Sequence, residues 1–353
     1  MKKIDTRINK YALFLIGIII LLGQLSCKPN RNNSRITVAS AGKISSVDPA
    51  QASTFNALQV ISALGDPLYR LNQEGDLIPI LATEEPRISK DGKSIIIPLR
   101  KGVFFHDGTV FNADAMAFSI NRFIKIGTMN YILGDRISSV QAIDPYLLRI
   151  KLNRKSSSIN GLLTSINLTP VSPNSYLGFE NKFLNNTFIG TGPYRIISFT
   201  SHHQRMIPFE KYWGAKPLNN GIDYISLSNS TSLFVALKSK EIDVLLSGSI
   251  DADQSKYLNK MSSKGLIKEG RGKSLEIGFI SINTSLPPMN QPDLRKALSL
   301  ILDRELISNR VSYGLRRPLR SIVPPSLKEN FSPWPKYAPN KAKELMVEAG
   351  YCS

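Results

Sequence analysis

Beyond residue 34 the chain alternates short apolar runs of strand length with longer stretches whose apolar residues recur at helical spacing. Arg35 to Ser40 predicts a strand leading into a loop, where Asp48-Pro49 forces a turn. Phe55 to Leu64 is apolar at helical spacing, and Asp91-Gly92 separates two extended segments, the second being Ser94 to Arg100. Asn112 is a good N-cap for a helix carrying Ala113, Met116, Ala117, Ile120 and Ile124 on one face. Further strands are predicted at Gln141 to Leu152, Tyr194 to Phe199, Ile222 to Leu227, Ile242 to Leu246 and Leu275 to Asn283. Helices are predicted at Thr231 to Ser239, at Asp293 to Val311, and from a cap at Asn340 to Gly350. The alternation is irregular, which predicts an α/β protein of more than one lobe.

Length agrees, since 353 residues are too many for one compact core. The charge adds more. Lys and Arg number 45 against 27 Asp and Glu, a formal +18. Lys2, Lys3, Arg7 and Lys10 against Asp5 supply +3 of this in the first 26 residues, leaving +15 beyond them. The basic residues are dispersed, with only short clusters such as Leu315-Arg316-Arg317, and no nucleic-acid-binding signature accompanies them. No nucleic-acid partner is expected. An anionic ligand, or attraction to acidic envelope surfaces, fits the charge better.

Residues 1–10 are basic and Tyr11 to Gly23 is an unbroken apolar run, the pattern of an export signal and too short for a comfortable membrane span. Leu21-Leu22-Gly23-Gln24-Leu25-Ser26-Cys27 resembles the bacterial lipoprotein signal, although Gln24 stands where an aliphatic residue is usual. The resemblance implies a signal peptide and lipobox over residues 1–27, lipidation at Cys27, and a flexible polar tether over 28–34. An uncleaved anchor, or a cleaved signal with an incidental cysteine, is the alternative. Cys352 is the only other cysteine, so no disulfide framework is expected.

Catalytic signatures are missing from the sequence: there is no Gly-x-Ser-x-Gly elbow, Walker motif or His-Glu-x-x-His. Gly190-Thr191-Gly192-Pro193 looks like a phosphate cradle, but Pro193 removes a donor and no Lys follows. His202-His203 lacks a third ligand at metal spacing and reads as a solvated loop. No catalytic residue, metal or cofactor is expected.

Several blocks, in order, resemble bacterial extracellular solute-binding proteins of family 5, the oligopeptide-, dipeptide- and nickel-binding type. They are Asp48-Pro49-Ala50, the run Leu99-Arg100-Lys101-Gly102-Val103-Phe104-Phe105-His106-Asp107-Gly108-Thr109, Gly190-Thr191-Gly192-Pro193-Tyr194 with Tyr212-Trp213-Gly214, Ala236-Leu237-Lys238 with Glu241-Ile242-Asp243, and Arg295-Lys296-Ala297-Leu298 with Asp303-Arg304. Two departures stand out. Ala115 replaces a usual aspartate, and Lys240 replaces a glycine that commonly ends the short helix.

The resemblance implies a periplasmic-binding-protein-like type II fold of two α/β lobes. Lobe I would hold residues 35–55 and 170–265, a small extra domain would span 56–169, and lobe II would begin at 270 and be incomplete at 353. It further implies a monomeric, lipid-anchored substrate-binding protein of an ABC importer in the periplasm or cell envelope. Such a protein captures peptides or similar small solutes between its lobes and delivers them to membrane permease subunits. Ala52, Ser53 and Thr54 match the ligand-facing loop of lobe I, and Asn130 and Tyr131 are candidates to face the cleft. His106 precedes a turn in its block, which favours a structural hydrogen-bonding role over a metal or catalytic one. Two other readings stay open: a non-functional or partner-dependent fragment of such a protein, and an envelope hydrolase.

Overall fold

The computed structural model describes residues 34–72, 74–246, 250–270, 272, 277–322 and 334–351. The leader, Cys27 and Cys352 lie outside them. Strand β1 (Ile36–Ala41) is followed by α1 (Phe55–Leu64), the hairpin β2 (Tyr69–Leu71) and β3 (Leu77–Pro79), β4 (Arg87–Ile88), β5 (Ser94–Pro98) and α2 (Ala113–Ile126). Then come β6 (Ile137–Asp144), β7 (Leu147–Leu152), the single turn α3 (Ile159–Leu162), β8 (Tyr194–Phe199), β9 (His203–Pro208) and β10 (Ile222–Leu227). The chain continues through α4 (Ser230–Lys238), β11 (Val244–Leu245), α5 (Ala252–Ser263), α6 (Pro292–Ile301), α7 (Arg304–Ser312) and α8 (Pro339–Glu348).

A five-stranded sheet has the order β11-β1-β10-β9-β8. β1 is parallel to both β10 and β11, while β8 and β9 extend the sheet antiparallel. Side chains alternate along β1. Val38 joins a core with Ala57, Val60, Ile61 and Leu64 of α1, whereas Ala39 joins a second core with Leu233 and Ala236 of α4. β10 does the same, with Tyr224 on the α1 side and Ile225 on the α4 side. The two helices therefore cover opposite faces.

A separate four-stranded antiparallel sheet, β4-β5-β7-β6, buries Ile95, Ile97, Leu148 and Ile150 against α2. The Asn112 side chain accepts the Ala115 N–H, as an N-cap should, and Met116, Ile120 and Phe123 point inward. Each fully buried side chain of this size contributes roughly 2 kcal/mol.

The structure departs from the sequence pattern at four places. Gln141 to Leu152 is not one strand but two, because Pro145 cannot donate to a ladder and the chain turns back there. Asp293 to Val311 breaks at Leu302, where Asp303 accepts the Leu306 N–H and starts a second helix. His203 opens β9 rather than lying in a loop, paired with Ile225. Residues 277–283 form no strand, and 275–276 lie outside the described residues. Lys240 does adopt φ +62, a left-handed backbone that costs a residue with a Cβ about 1 kcal/mol.

Candidate ligand-binding cleft

Adjacent parallel strands whose connections leave to opposite faces create a crevice at their carboxyl ends, where ligands of open α/β sheets bind. β1 and β10 are such a pair, with α1 on one face and α4 on the other. The Asn56 side chain donates to the Ala41 carbonyl, which seats the first turn of α1 over the end of β1. Gly42 leaves the strand at φ +91, and a Cβ there would sit 3.3 Å from the Asn56 amide nitrogen. At the end of β10, Asn229 caps α4 by accepting the Ser232 N–H. Neither α1 nor α4 carries an acidic residue in its own first turn; the positive end of α1 is left unopposed by its helix, whereas the Asp251 carboxylate accepts the Ser230 hydroxyl at the start of α4. Exposed Lys43 adds a full charge at the same rim. The crevice suits a ligand with a carboxylate.

The loop between β1 and α1 is fastened from below. Asp48 is fully buried and accepts both terminal nitrogens of Arg122 on α2, at 2.9 and 2.7 Å. Its two oxygens also accept the Ala50 and Leu184 N–H groups. Arg122 donates further to the Phe179 and Lys182 carbonyls and lies 4.9 Å from the Tyr176 ring centre. A buried pair in which the carboxylate accepts four bonds and the guanidinium donates four is a rigid fastening.

The proposed ligand loop divides. Ala52 is buried at 2% exposure, and its carbonyl accepts the Asn167 amide at 2.7 Å. Ser53 is exposed, and Thr54 is exposed while its hydroxyl accepts the Ala57 N–H at 3.3 Å. The Asn130–Tyr131 segment lies beside this loop, because Thr128 donates its N–H to the Ala50 carbonyl and its hydroxyl to the Gln51 carbonyl. Asn130 spends its amide on the Ile124 carbonyl near the end of α2, whereas Tyr131 stands free at 70% exposure. Among the five candidates, Ser53, Thr54 and Tyr131 present side chains to solvent.

Pattern reading passed over Phe55, which is 61% exposed at the start of α1. The signal was present: Ala57, Val60, Ile61 and Leu64 form the buried stripe, and Phe55 falls off it.

His106 is structural. Its Nε2 donates to the Gly192 carbonyl at 3.1 Å, its Nδ1 accepts the Gly190 N–H at 3.3 Å, and its edge meets Phe209. Burial pushes its pKa down to about 4, so the imidazole is neutral. Neighbouring Asp107 accepts hydroxyls from Thr109, Ser172 and Ser175, which lock the turn. His203 sits 3.1 Å from Asp223, which also takes Arg35 at 2.7 Å, while His202 meets the Ser201 hydroxyl.

The Gly190-Thr191-Gly192 block is a packing device. Its amides are already spent, that of Gly192 on the Leu64 carbonyl at 3.0 Å and that of Gly190 on His106. A Cβ on Gly192 would lie 2.4 Å from the Gly65 nitrogen. Among the described residues no group of three or more His, Cys, Asp or Glu could hold a metal ion. Nor is any described helix long and apolar enough to cross a membrane.

Known proteins share the sequence and fold of this chain. The chain is 27% identical over 350 residues to the glutathione-binding protein GsiB of Shigella dysenteriae, covering 98% of this chain and 66% of that protein. It is 28% identical over 322 residues to GsiB of Escherichia coli K12, covering 90% and 61%. The chain thus spans less than two thirds of the length of these relatives. The dipeptide-binding protein of Pseudoalteromonas sp. SM9913, solved in complex with Met-Leu, superposes with a TM-score of 0.78 at 26% identity, covering 90% of this chain and 67% of that one. The fold is the mixed α/β type II fold of periplasmic binding proteins. With residues 76–352 matching the model of the bacterial extracellular solute-binding proteins, family 5 Middle, the chain belongs to that family.

Proposed function

We propose that this chain is the solute-capturing component of an ABC importer, taking a short peptide or a peptide-like solute into the crevice at the carboxyl ends of β1 and β10. Members of the family are transport binding proteins, not enzymes. The observation that carries the reading is the meeting, on that crevice, of the α1 N-terminus, whose first turn has no acidic residue, with the exposed Lys43. A peptide offers the matching chemistry. Its carboxylate faces the α1 N-terminus and Lys43, and its main chain hydrogen-bonds to loop backbone much as an added strand would. Ser53, Thr54, Phe55 and Tyr131 would border the ligand, with water completing contacts to variable side chains. GsiB relatives named for glutathione and a neighbour solved with Met-Leu support the peptide class.

In this reading residues 35–55 with 170–265 form one lobe together with α1, which covers its sheet, the rest of 56–169 forms a small domain on it, and residues from 270 belong to the opposing lobe that closes on the ligand. Cys27 carries the lipid, and the filled protein delivers its solute to permease subunits from the periplasmic side.

A second reading has one observation in its favour. Phe279, Ile280, Leu286, Ile301 and Val311 are each more than half exposed, as expected if ligand capture requires a partner covering that face.

Thermal unfolding of the full chain with di- and tripeptides, glutathione and a nickel–histidine chelate tests both readings. A ligand at a hundred times its Kd stabilises by about 2.7 kcal/mol. The importer reading expects such a shift with the ligand recovered intact. Hydrolysed peptide would sink it, and no shift with any solute favours the partner-dependent reading.

A further inference from the structure

The four-stranded sheet carries chemistry that ligand capture does not use. Its inner face is apolar, with Ile95, Ile97, Leu148, Ile150 and Leu152 all buried against α2 and neighbouring residues. Its outer face is basic at one end. Arg149 and Lys151 point outward from β7, alternating with Leu148, Ile150 and Leu152. Lys151 pairs in register with Ser94, next to Lys93. The Lys155 side chain lies over the β4–β5 turn, its Cγ 2.8 Å from where a Cβ on Gly92 would sit. Lys90 occupies the same turn, and Lys90, Lys93, Lys151 and Lys155 are all exposed.

Nearby carboxylates offset only part of this charge. Glu84 is held by Arg87, and Asp135 by Arg154. Asp91 accepts the Ser89 hydroxyl and the Lys93 N–H, keeps its charge beside Lys93 and so offsets one lysine of the cluster. What is left is an outward-facing group of lysines on a sheet end. A charged plane is the surface such a group complements.

We propose that this end of the sheet, built from Lys90, Lys93, Lys151 and Lys155 with Arg149 behind them, docks onto the anionic headgroups of the phospholipid bilayer to which the chain is tethered. Anchoring holds the molecule at that surface, so weak electrostatics suffices to orient it. The proposal rests on the reading of Cys27 as a membrane anchor. Each lysine near an anionic bilayer strengthens partition on the order of fivefold, and salt screens the effect.

The test is hydrogen–deuterium exchange of the full chain reconstituted in vesicles of phosphatidylcholine, with or without phosphatidylglycerol. Slowing of several-fold is expected over residues 89–93 and 153–156 on the anionic vesicles alone. It should vanish in high salt and in the K90E/K93E/K151E/K155E variant. Reversing Lys256 and Lys260 of α5 with Lys264 just beyond it, which removes similar charge elsewhere, should leave it intact. Identical exchange on both vesicles, slowing that survives the sheet variant, or slowing lost equally in the α5 variant overturns the proposal. Flotation with neutral vesicles reads the anchor separately: a chain that fails to float loses the anchor reading, while its exchange on anionic vesicles still reports on the patch.

Discussion

His106 and Asp66 pull the pH dependence of stability in opposite directions. The buried imidazole has its pKa lowered to about 4 from 6.5, so as pH falls the unfolded chain takes up this proton before the native one does. Its stabilisation is complete above about pH 6.5 and lost between there and about pH 4, a change on the order of 3 kcal/mol. Asp66 is fully buried, accepts from Trp213 Nε1 at 3.0 Å, and has its pKa raised chiefly by burial. The native state takes up that proton first, so Asp66 returns stability as pH falls through its raised value. Urea unfolding of His106→Gln across pH 4–7 should show a flatter acid slope than the parent; an unchanged slope would assign the acid sensitivity to another group. The Asp48–Arg122 pair has a larger role at neutral pH. Asp48→Ala strands a buried guanidinium and should cost about 3–5 kcal/mol, while adding Arg122→Met should recover part of the loss. A double variant as unstable as the sum of the singles would show that the two residues act independently.

At the scale of elements, close backbone approach explains why two glycines of one chain differ in tolerance. A methyl on Gly192 would drive into the carbonyl carbon of Leu64 and the nitrogen of Gly65, each 2.4 Å away. At Gly102 no atom lies within 4 Å, although φ is +72. Gly192→Ala should therefore lower stability by more than about 3 kcal/mol and Gly102→Ala by roughly 1, compared by thermal unfolding. Equal losses would mean that backbone angle, not contact, sets the cost. These elements also show what a sequence can reveal. Phe55–Leu64, Tyr194–Phe199 and Ile222–Leu227 were legible to the residue, because each has an unambiguous period and a polar boundary. The β9 strand was not, because His203, Gln204 and Arg205 conceal a strand whose buried residues are Gln204 and Met206. Of the candidate ligand loop, Ser53 and Thr54 are exposed as a ligand-facing loop requires, but the burial of Ala52 and the internal bond of Asn130 depend on Asn167 and on the end of α2, which no local pattern connects to them.

Across the whole molecule, local and distant contacts divide between the two larger sheets. The four-stranded sheet is made from a single stretch, residues 87 to 152, and its β6–β7 ladder joins near neighbours. The five-stranded sheet places β1 between strands from the far side of that stretch, with Ile36 beside Ile222 and Val38 beside Val244. Loop closure over such distances is slow, so pulse-labelled refolding should protect the β6–β7 amides before those of β1. Simultaneous protection would remove the distinction. On the proposed reading of the leader as an export signal, the ordering matters for a polypeptide threading a narrow translocase. Its opening strand finds no partner until more than two hundred residues have been synthesised, so the leading segment stays unpaired and passable during the interval in which export begins.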